Sequence, residues 1–154
     1  MTSVITDLLS SFLNALNAAA PPSIFSSFFV PPSSFHQPCC IEHGPSGHVD
    51  LPFLGEPFTG KDGIERYYSL IGSVLKGKGS RFDADDLLVK IKEGGRSARA
   101  VWTGMATWSV QKTGKEWDEA VVWAFDLVYE DGEWNIVKWE VWADTLSAYL
   151  ASQP

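Results

Sequence analysis

The feature that most constrains the fold is a regular alternation of apolar and polar residues in the second half of the chain. The segments SARAVWTGMATWSVQ, EWDEAVVWAFDLVYE and WNIVKWEVWA follow this period-two pattern, and the pairs TG and DG separate them. Such alternation is typical of strands with one buried face, and Gly-containing pairs are typical of tight turns. We therefore predict three long strands in an antiparallel meander, with a shorter strand at LLVKIKE before them.

Helical patterns occupy the chain before these strands. Apolar residues recur at three- and four-residue spacing near the N-terminus, and a second short apolar run ends by residue 30, which places helices within about residues 3–30. The segment 59–77 is the clearest helix, and a short strand is expected around CCIEHG. Helices followed by a sheet at about residues 86–144 predict an α+β fold, as a single domain over residues 1–154.

Charge and cysteine content argue against several classes of protein. The formal net charge is −7 without a basic run, so we expect no binding to nucleic acid or to an anionic membrane. The only cysteines, Cys39 and Cys40, are adjacent, which fits neither a disulfide framework nor a CxxC metal site. No nucleotide-binding or zinc-protease motif is present, so we expect no cofactor and no metal. The N-terminus lacks the basic flank of a secretory signal, and we expect a cytoplasmic protein.

The predicted hairpins place acids and indoles on one face of the sheet. Two-residue turns at the TG and DG pairs would set Trp108 beside Glu119, and Glu119 beside Asp144. Two residues of this face, Gly104 and Ala106, are small and lie in the middle of a strand. Small residues at such positions often mark space for a ligand, so we interpret this face as the wall of a pocket. The alternative is a solvated face with ordinary surface acids, because a slip of one residue would exchange the two faces. The other residues of this face are Trp102, Gly104, Ala106, Val121, Trp123, Phe125, Lys138, Glu140 and Trp142.

Several segments resemble the nuclear-transport-factor-two-like superfamily, nearest to its SnoaL-like branch and to small fungal proteins of secondary-metabolite pathways. The resemblance is carried by FTGKDGIERYYSLI, QKTGKEWDE, YEDGEWNIVKWEVWAD and TLSAYL. It implies a cone-shaped barrel in which a curved, mostly antiparallel sheet wraps around the N-terminal helices and a deep pocket. Enzymes of this family are typically cofactor-independent and often dimeric, and they include isomerases, cyclases, dehydratases and epoxide hydrolases. An acid at the end of the last strand is a recurring catalytic group there, and Asp144 matches that position.

Three residues are the predicted catalytic groups. Asp144 is a candidate general acid or base, or alternatively the N-cap of the helix that follows it. Glu140 would be the second acid of a dry site, or alternatively an exposed partner of a lysine. His43 lies in a loop expected at the pocket mouth, where a histidine transfers protons near neutral pH, or alternatively it has a surface or structural role. The predicted substrate-binding residues are Trp102, Trp108, Glu119, Trp123, Trp142, Tyr67 and Tyr68, for which core packing or, for Glu119, an exposed rim is the alternative.

Together these features predict a cofactor-independent acid–base isomerase or cyclase that acts on a hydrophobic polycyclic natural-product intermediate. The alternatives are a dehydratase of the same fold and a non-catalytic module that binds a small hydrophobic molecule. The opposite face of the sheet, predicted to carry Met105, Val122, Val141 and Trp139, is a candidate homodimer interface.

Overall fold

In the computed structural model, which describes residues 1–154, four helices accompany one sheet of seven strands. The helix α1 buries Ile5, Leu9 and Phe12, because their three- and four-residue spacing puts them on one face. None of the helices combines the length and the apolar character that a membrane crossing requires. The helices are α1 (Thr2–Asn17), α2 (Pro22–Ser26), α3 (Gly60–Val74) and α4 (Thr145–Ser152).

The seven strands form a curved sheet that does not close into a complete barrel. Its order is β2-β1-β7-β6-β5-β3, and β4 also pairs with β5. Only β1 and β7 run parallel, so the predicted α+β fold with a mostly antiparallel curved sheet is confirmed. The strands are β1 (Cys39–Glu42), β2 (Phe58–Thr59), β3 (Leu75–Arg81), β4 (Leu87–Ile91), β5 (Ser97–Val110), β6 (Glu116–Glu130) and β7 (Glu133–Trp142).

The helix predicted over residues 59–77 ends earlier than expected. The helix α3 stops at Val74, and the chain continues directly into β3. Gly77 lies opposite Trp108 in the ladder between β3 and β5, where an added Cβ would lie 3.3 Å from the indole. The glycine predicted to end the helix is therefore a strand residue that leaves room for an aromatic ring.

The two hairpins of the meander differ in their turns. Asp131 and Gly132 have φ values of 52° and 89°, as the two central residues of a type I′ turn require. The turn between β5 and β6 is longer than predicted and sets Ala106, instead of Trp108, opposite Glu119. Because this shift is by two residues, the predicted inward face of β5 and β6 is unchanged.

A bulge in β7 makes the predicted faces of the last strand wrong. Asp126 pairs with Lys138, whereas the next residue of β6 pairs with Ile136, so one residue of β7 has no partner. The extra residue reverses the alternation that simple counting assumes. The inward residues are Trp139 and Val141, and Glu140 and Trp142 face outward. Trp139 and Val141 therefore cannot belong to the predicted outer-face dimer interface, and dimer formation stays a prediction.

Gly104 accommodates a neighbouring chain segment, and it does not leave space for a ligand. A Cβ at Gly104 would lie 2.6 Å from the backbone oxygen of Arg81 and 2.6 Å from the Phe82 ring. The Phe82 ring lies 4.2 Å from the Trp123 ring and 5.1 Å from the Trp102 ring, measured between centroids. Phe82 thus fills the space that the sequence predicted to be open below Gly104.

The hydrophobic core fills one end of the cone around Phe12. The centroid of its ring lies 4.9 Å from those of Phe25 and Trp139, and 5.8 Å from that of Trp123. Beyond this packing, toward the C-terminal end of α1, a cavity lies beside Leu16. The fold therefore positions a cavity between the C-terminal end of α1, the sheet and α4.

Candidate active site

A small aromatic cavity lies between the inner face of the sheet, α3 and the start of α4. Its volume is about 40 Å³, and 14 of the 19 residues that line it are hydrophobic. Because one water molecule needs roughly 10–15 Å³ of such space, the cavity holds a few waters or one small functional group. The other five lining residues are Glu42, Ser80, Glu119, Asp144 and Thr145.

Glu42 reaches the cavity because β1 pairs with β7. The pairing sets Glu42 beside Val141, an inward residue of β7, and part of its surface stays accessible because it forms the cavity wall. Tyr67, buried on α3, donates its hydroxyl hydrogen to Oε1 of Glu42 over 3.2 Å. Burial and the charge of Glu119 raise the pKa of Glu42 to about 8, although the Tyr67 hydrogen bond acts in the opposite direction. Glu42 is therefore largely protonated at neutral pH.

Glu119 is the second acid of the cavity and points inward from β6. Only 6% of its surface is exposed, so the alternative of a solvated rim residue is wrong. Its Oε2 accepts hydrogen bonds from Nε1 of Trp117 over 2.9 Å and from the backbone N–H of Asp144 over 3.2 Å. Burial raises the pKa of Glu119, and these two donors offset only part of that effect. These N–H donors favour the ionised form of Glu119 and act against the effect of burial.

Trp139 lines the cavity and has a buried hydrogen-bond donor without a partner. The residue is 3% exposed, and its Nε1 is the one buried side-chain N or O atom without a hydrogen-bond partner. Its ring packs edge-on against Tyr67 and Trp123, with centroid distances of 5.7 Å and 5.3 Å. Buried N–H groups are nearly always paired with protein or with water. The Nε1 atom is itself buried, so its hydrogen-bonding capacity is unused in the structure.

Asp144 lies on the cavity wall and is the N-cap of α4. Its Oδ1 accepts a hydrogen bond from the backbone N–H of Ser147 over 2.9 Å, and its Oδ2 accepts one from the Ser147 hydroxyl over 2.6 Å. These hydrogen bonds lower the pKa of Asp144, so its carboxylate is a weak base. Of the two predicted roles, the structure shows the helix cap.

Glu140, His43 and Trp142 lie on the outer face of the sheet, so the prediction that they line the pocket is wrong. Oε2 of Glu140 accepts a hydrogen bond from Arg99 over 2.9 Å, and Oε1 lies 3.1 Å from Nε2 of His43 and 3.2 Å from Nζ of Lys138. Although burial acts to raise it, hydrogen bonds from Arg99, His43 and Lys138 lower the pKa of Glu140. The His43 ring stacks on Trp142 with centroids 4.4 Å apart. We call this group the outer ion cluster.

The remaining predicted binding residues divide between the cavity and other surroundings. Trp102 is fully buried in the core and donates from Nε1 to the backbone oxygen of Asp83 over 2.7 Å. The Tyr68 ring stacks on Phe25 with centroids 4.2 Å apart and borders a groove outside the cavity. The predicted site residues that do line the cavity are Asp144, Glu119, Tyr67, Trp108 and Trp123.

Three cavity residues were missed by the analysis of the sequence. Glu42 belongs to the predicted short strand, but its parallel pairing with the distant β7 has no local sequence signal. Trp139 was assigned to the wrong face because of the bulge in β7. Trp117 could have been found, since it lies two residues before Glu119 and shares its face. No group of three or more His, Cys, Asp and Glu side chains is arranged to hold a metal ion.

Comparison with known protein structures identifies the fold of the chain. No protein-family model and no curated protein matches the chain. A Novosphingobium aromaticivorans structure, provisionally named a scytalone dehydratase, superposes with a TM-score of 0.70 at 14% identity, covering 93% of this chain and 83% of that one. A ketosteroid isomerase-like protein from Erwinia carotovora superposes with a TM-score of 0.68 at 15% identity, covering 92% of this chain and 94% of that one. An NTF2-like protein from Burkholderia thailandensis superposes with a TM-score of 0.63 at 19% identity, covering 97% of both chains. The chain therefore has the nuclear-transport-factor-two-like fold.

Proposed function

We propose that the chain is a cofactor-independent acid–base enzyme that moves a proton next to a carbonyl group, as isomerases and cyclases do. The observation that carries this proposal is a pair of inward carboxyl groups, Glu42 and Glu119, in one apolar cavity that raises the pKa of both. Carboxyl groups with a pKa raised toward neutrality are efficient proton-transfer groups at physiological pH.

Glu119 is the proposed general base. Its carboxylate is ionised, nearly excluded from bulk water, and held by two N–H donors on the same oxygen, Oε2. The other oxygen, Oε1, is not the acceptor in these two bonds and is the proposed acceptor of a proton from a carbon atom; a side-chain hydrogen bond from Trp108 also acts to lower the pKa of this carboxyl group. A raised pKa increases the basicity of this carboxylate compared with an exposed glutamate.

Glu42 is the proposed proton donor to the carbonyl oxygen. A carboxylic acid kept neutral by its surroundings donates a hydrogen bond to the negative charge that develops on an enolate oxygen. Tyr67 positions Glu42, because its hydroxyl already donates to Oε1. Burial, followed by the charge of Glu42, raises the pKa of Tyr67 well above its usual value, so the phenol stays protonated throughout the reaction.

The proposed isomerisation leaves Glu119 and Glu42 in the protonation states in which they began. Glu119 removes a proton from the carbon next to the carbonyl, and the negative charge moves to the carbonyl oxygen. The acid proton of Glu42 stabilises that oxygen by a hydrogen bond. Glu119 then returns the proton to a different carbon, so the carbon–carbon double bond moves and both carboxyl groups regain their starting states.

Dehydration is a second reaction that the same pair supports. Here Glu119 removes the proton from carbon, and the protonated Glu42 gives its proton to a leaving hydroxyl, which produces a double bond and water. The high pKa of Glu42, about 8, favours this role because it keeps the acid form available near pH 7. Names among the similar structures, scytalone dehydratase and ketosteroid isomerase-like protein, cover both reactions.

The proposed substrate is a hydrophobic ring compound of secondary metabolism that carries an enolisable carbonyl group. The cavity wall favours such a compound, because the indoles of Trp108, Trp117, Trp123 and Trp139 surround the acids with apolar surface.

The experiment that tests the proposal follows exchange of acidic C–H protons for deuterium by NMR, in a panel of cyclic ketones and enones. Exchange needs only proton removal and return, so it reports on the base even when the natural substrate is unknown. We expect Glu119→Gln to slow enzyme-dependent exchange at least about 100-fold. Glu116→Gln, an exposed acid on the same strand, is the matched control and should exchange as the wild type does. A Glu119→Gln protein with the wild-type exchange rate would refute the proposed base.

A further inference from the structure

A groove borders the cavity and is large enough for a substantial part of a small molecule. Its volume is about 520 Å³, compared with about 40 Å³ for the cavity. Its walls come from the C-terminal end of α1, the following turn, α3 and β3. The residues that line both spaces are Leu16, Ile71, Leu75, Ser80 and Trp108, so the two spaces share one wall.

The difference in volume implies that the cavity cannot hold a whole substrate. Sites for small molecules usually have volumes of about 300–1,000 Å³, a range that the groove reaches and the cavity does not. The cavity has the acids, and the groove has the space. A molecule that reacts at Glu42 and Glu119 must therefore keep most of its atoms outside the cavity, and the groove is the neighbouring space with room for them.

The charges around the groove indicate what that outer part of the molecule carries. The chain contains 19 acidic residues, yet none lines the groove. Lys76 is its one charged residue, and this exposed ammonium group makes no ion pair. In a protein with a net charge of −7, a groove with a free cation and without carboxylates favours an anionic group.

We propose that the groove is the second half of the substrate site and binds an arm that ends in an anionic group, such as a carboxylate or sulfate, while the reactive head of the same molecule occupies the cavity. This inference rests on the proposed function for the identity of the head group. It assigns Lys76 to binding of the arm and the Tyr68 ring to the groove wall.

Gly72 offers a way to block the groove without disturbing the catalytic groups. It lies on α3 and borders the groove, and a Cβ added there meets no atom within 4 Å. A larger side chain at this position therefore projects into open space. Ser69 is exposed, borders the groove and lies one helical turn before Gly72, so it provides a second blocking position.

The test compares two fluorescent probes that differ by one sulfonate group, anilinonaphthalene sulfonate and the neutral N-phenylnaphthylamine. We expect Gly72→Phe and Ser69→Phe to weaken binding of both probes at least about 10-fold, because the ring occupies their volume. Gly72→Ala is the matched control and should bind both probes within about two-fold of the wild type. If neither blocking variant changes binding of either probe, although both variants fold, the groove is not the binding site.

Lys76 is tested with a charge control on the same strand. Lys76→Gln should weaken binding of the sulfonate probe about two- to five-fold, and less at high salt, and should leave the neutral probe unchanged. Lys78→Gln removes the same charge two residues further on, from a lysine that pairs with Glu116 and does not line the groove, and should change neither probe. Equal effects of the two lysine variants would overturn the anionic arm.

Failure of this inference can be distinguished from failure of the proposed function. The exchange assay with Glu119→Gln and the probe assay with the Gly72 and Ser69 variants test different residues, because Glu119 lines the cavity and not the groove. If Glu119→Gln exchanges protons as fast as the wild type does, the catalytic role of Glu119 is refuted, and the conclusions from probe binding are unaffected. Normal probe binding in the Gly72 and Ser69 variants would refute the groove even if Glu119 proves essential for exchange.

Discussion

The hydroxyl of Tyr67 donates a 3.2 Å hydrogen bond to Oε1 of Glu42 and thereby joins α3 to β1 inside the cavity. Neither residue belongs to the long meander that dominates the sheet. The four-residue strand β1 supplies the acid, and its parallel pairing with β7 orients that acid. The proposed chemistry therefore depends on the short strand β1 and on α3, as well as on the long strands of the meander.

Glu42 should make the protein less stable as pH rises. Its pKa is about 8 in the folded state, against 4.5 for an unperturbed glutamate, so the folded state binds more protons than the unfolded state between these pH values. The free energy of unfolding therefore falls with increasing pH in this window, by at most about 1.4 kcal/mol per pH unit from this group. Chemical denaturation at several pH values between 5 and 8 measures this slope.

Replacement of Glu42 by glutamine provides the comparison. Glu42→Gln keeps an acceptor for the Tyr67 hydroxyl and removes the titration, so its stability should depend less on pH and exceed that of the wild type at pH 8. Glu56→Gln, at an exposed position, should keep the wild-type slope. Equal slopes for Glu42→Gln and the wild type would show that Glu42 titrates normally.

Asp144 should act through the helix cap and not as the base. Asn is as good an N-cap as Asp, so Asp144→Asn should keep both stability and proton exchange close to the wild-type values. Asp144→Ala should lose about 1 kcal/mol of stability, because the start of α4 loses its cap. Thermal denaturation and the deuterium-exchange assay check the two expectations. A large loss of exchange in Asp144→Asn with unchanged stability would return the catalytic role to Asp144.

The outer ion cluster should contribute to stability and leave proton exchange unaffected. Glu140→Gln leaves Arg99 and Lys138 without their shared carboxylate, at a cost of about 1–2 kcal/mol near pH 7. Because the pKa of Glu140 is lowered from 4.5, this contribution is present above that pH and is lost as pH falls through the folded-state pKa. Denaturation of Glu140→Gln and the wild type at pH 7 and below pH 4 measures this contribution to stability. Glu133→Gln, at an exposed position, is the control. A Glu140→Gln protein of full stability that loses exchange would contradict this assignment.

Gly104 should tolerate no side chain, whereas Gly72 should tolerate one. A Cβ at Gly104 would lie 2.6 Å from both a backbone oxygen and the Phe82 ring, so Gly104→Ala should lose about 1–3 kcal/mol. Gly72→Ala, in an open helical position, should gain up to about 1 kcal/mol from its higher helix propensity. Thermal denaturation of both variants checks the contrast. Equal stabilities would mean that Phe82 does not pack against Gly104.

The fold follows from sequence patterns that act locally. Alternation over the meander, the Asp131-Gly132 turn and the helical stripe of α1 each depend on residues close together in the chain, and the structure has all three. The same patterns predicted the inward face of β6, which includes Glu119 and Trp123. These signals are local because side-chain direction in a strand or helix repeats with a fixed period.

The candidate site was predicted only in part, because it depends on two features without local signals. One extra residue in β7 exchanges Trp139 for Glu140 on the inward face, and nothing in the alternation marks where the bulge falls. The parallel pairing that brings Glu42 into the cavity joins segments far apart in the chain. Of the predicted acid pair, Asp144 lines the cavity and Glu140 does not, and the other two acids of the cavity are Glu42 and Glu119.

The most direct measurement is a titration of the glutamate side chains by NMR, with ¹³C at the carboxyl carbon and the Glu42 resonance assigned by its loss in Glu42→Gln. We predict an apparent pKa near 8 for Glu42, and a value above the ordinary one for Glu119. If instead every glutamate resonance titrates near 4.5, the two carboxyl groups are hydrated like surface acids, and the proposed proton-transfer pair does not exist.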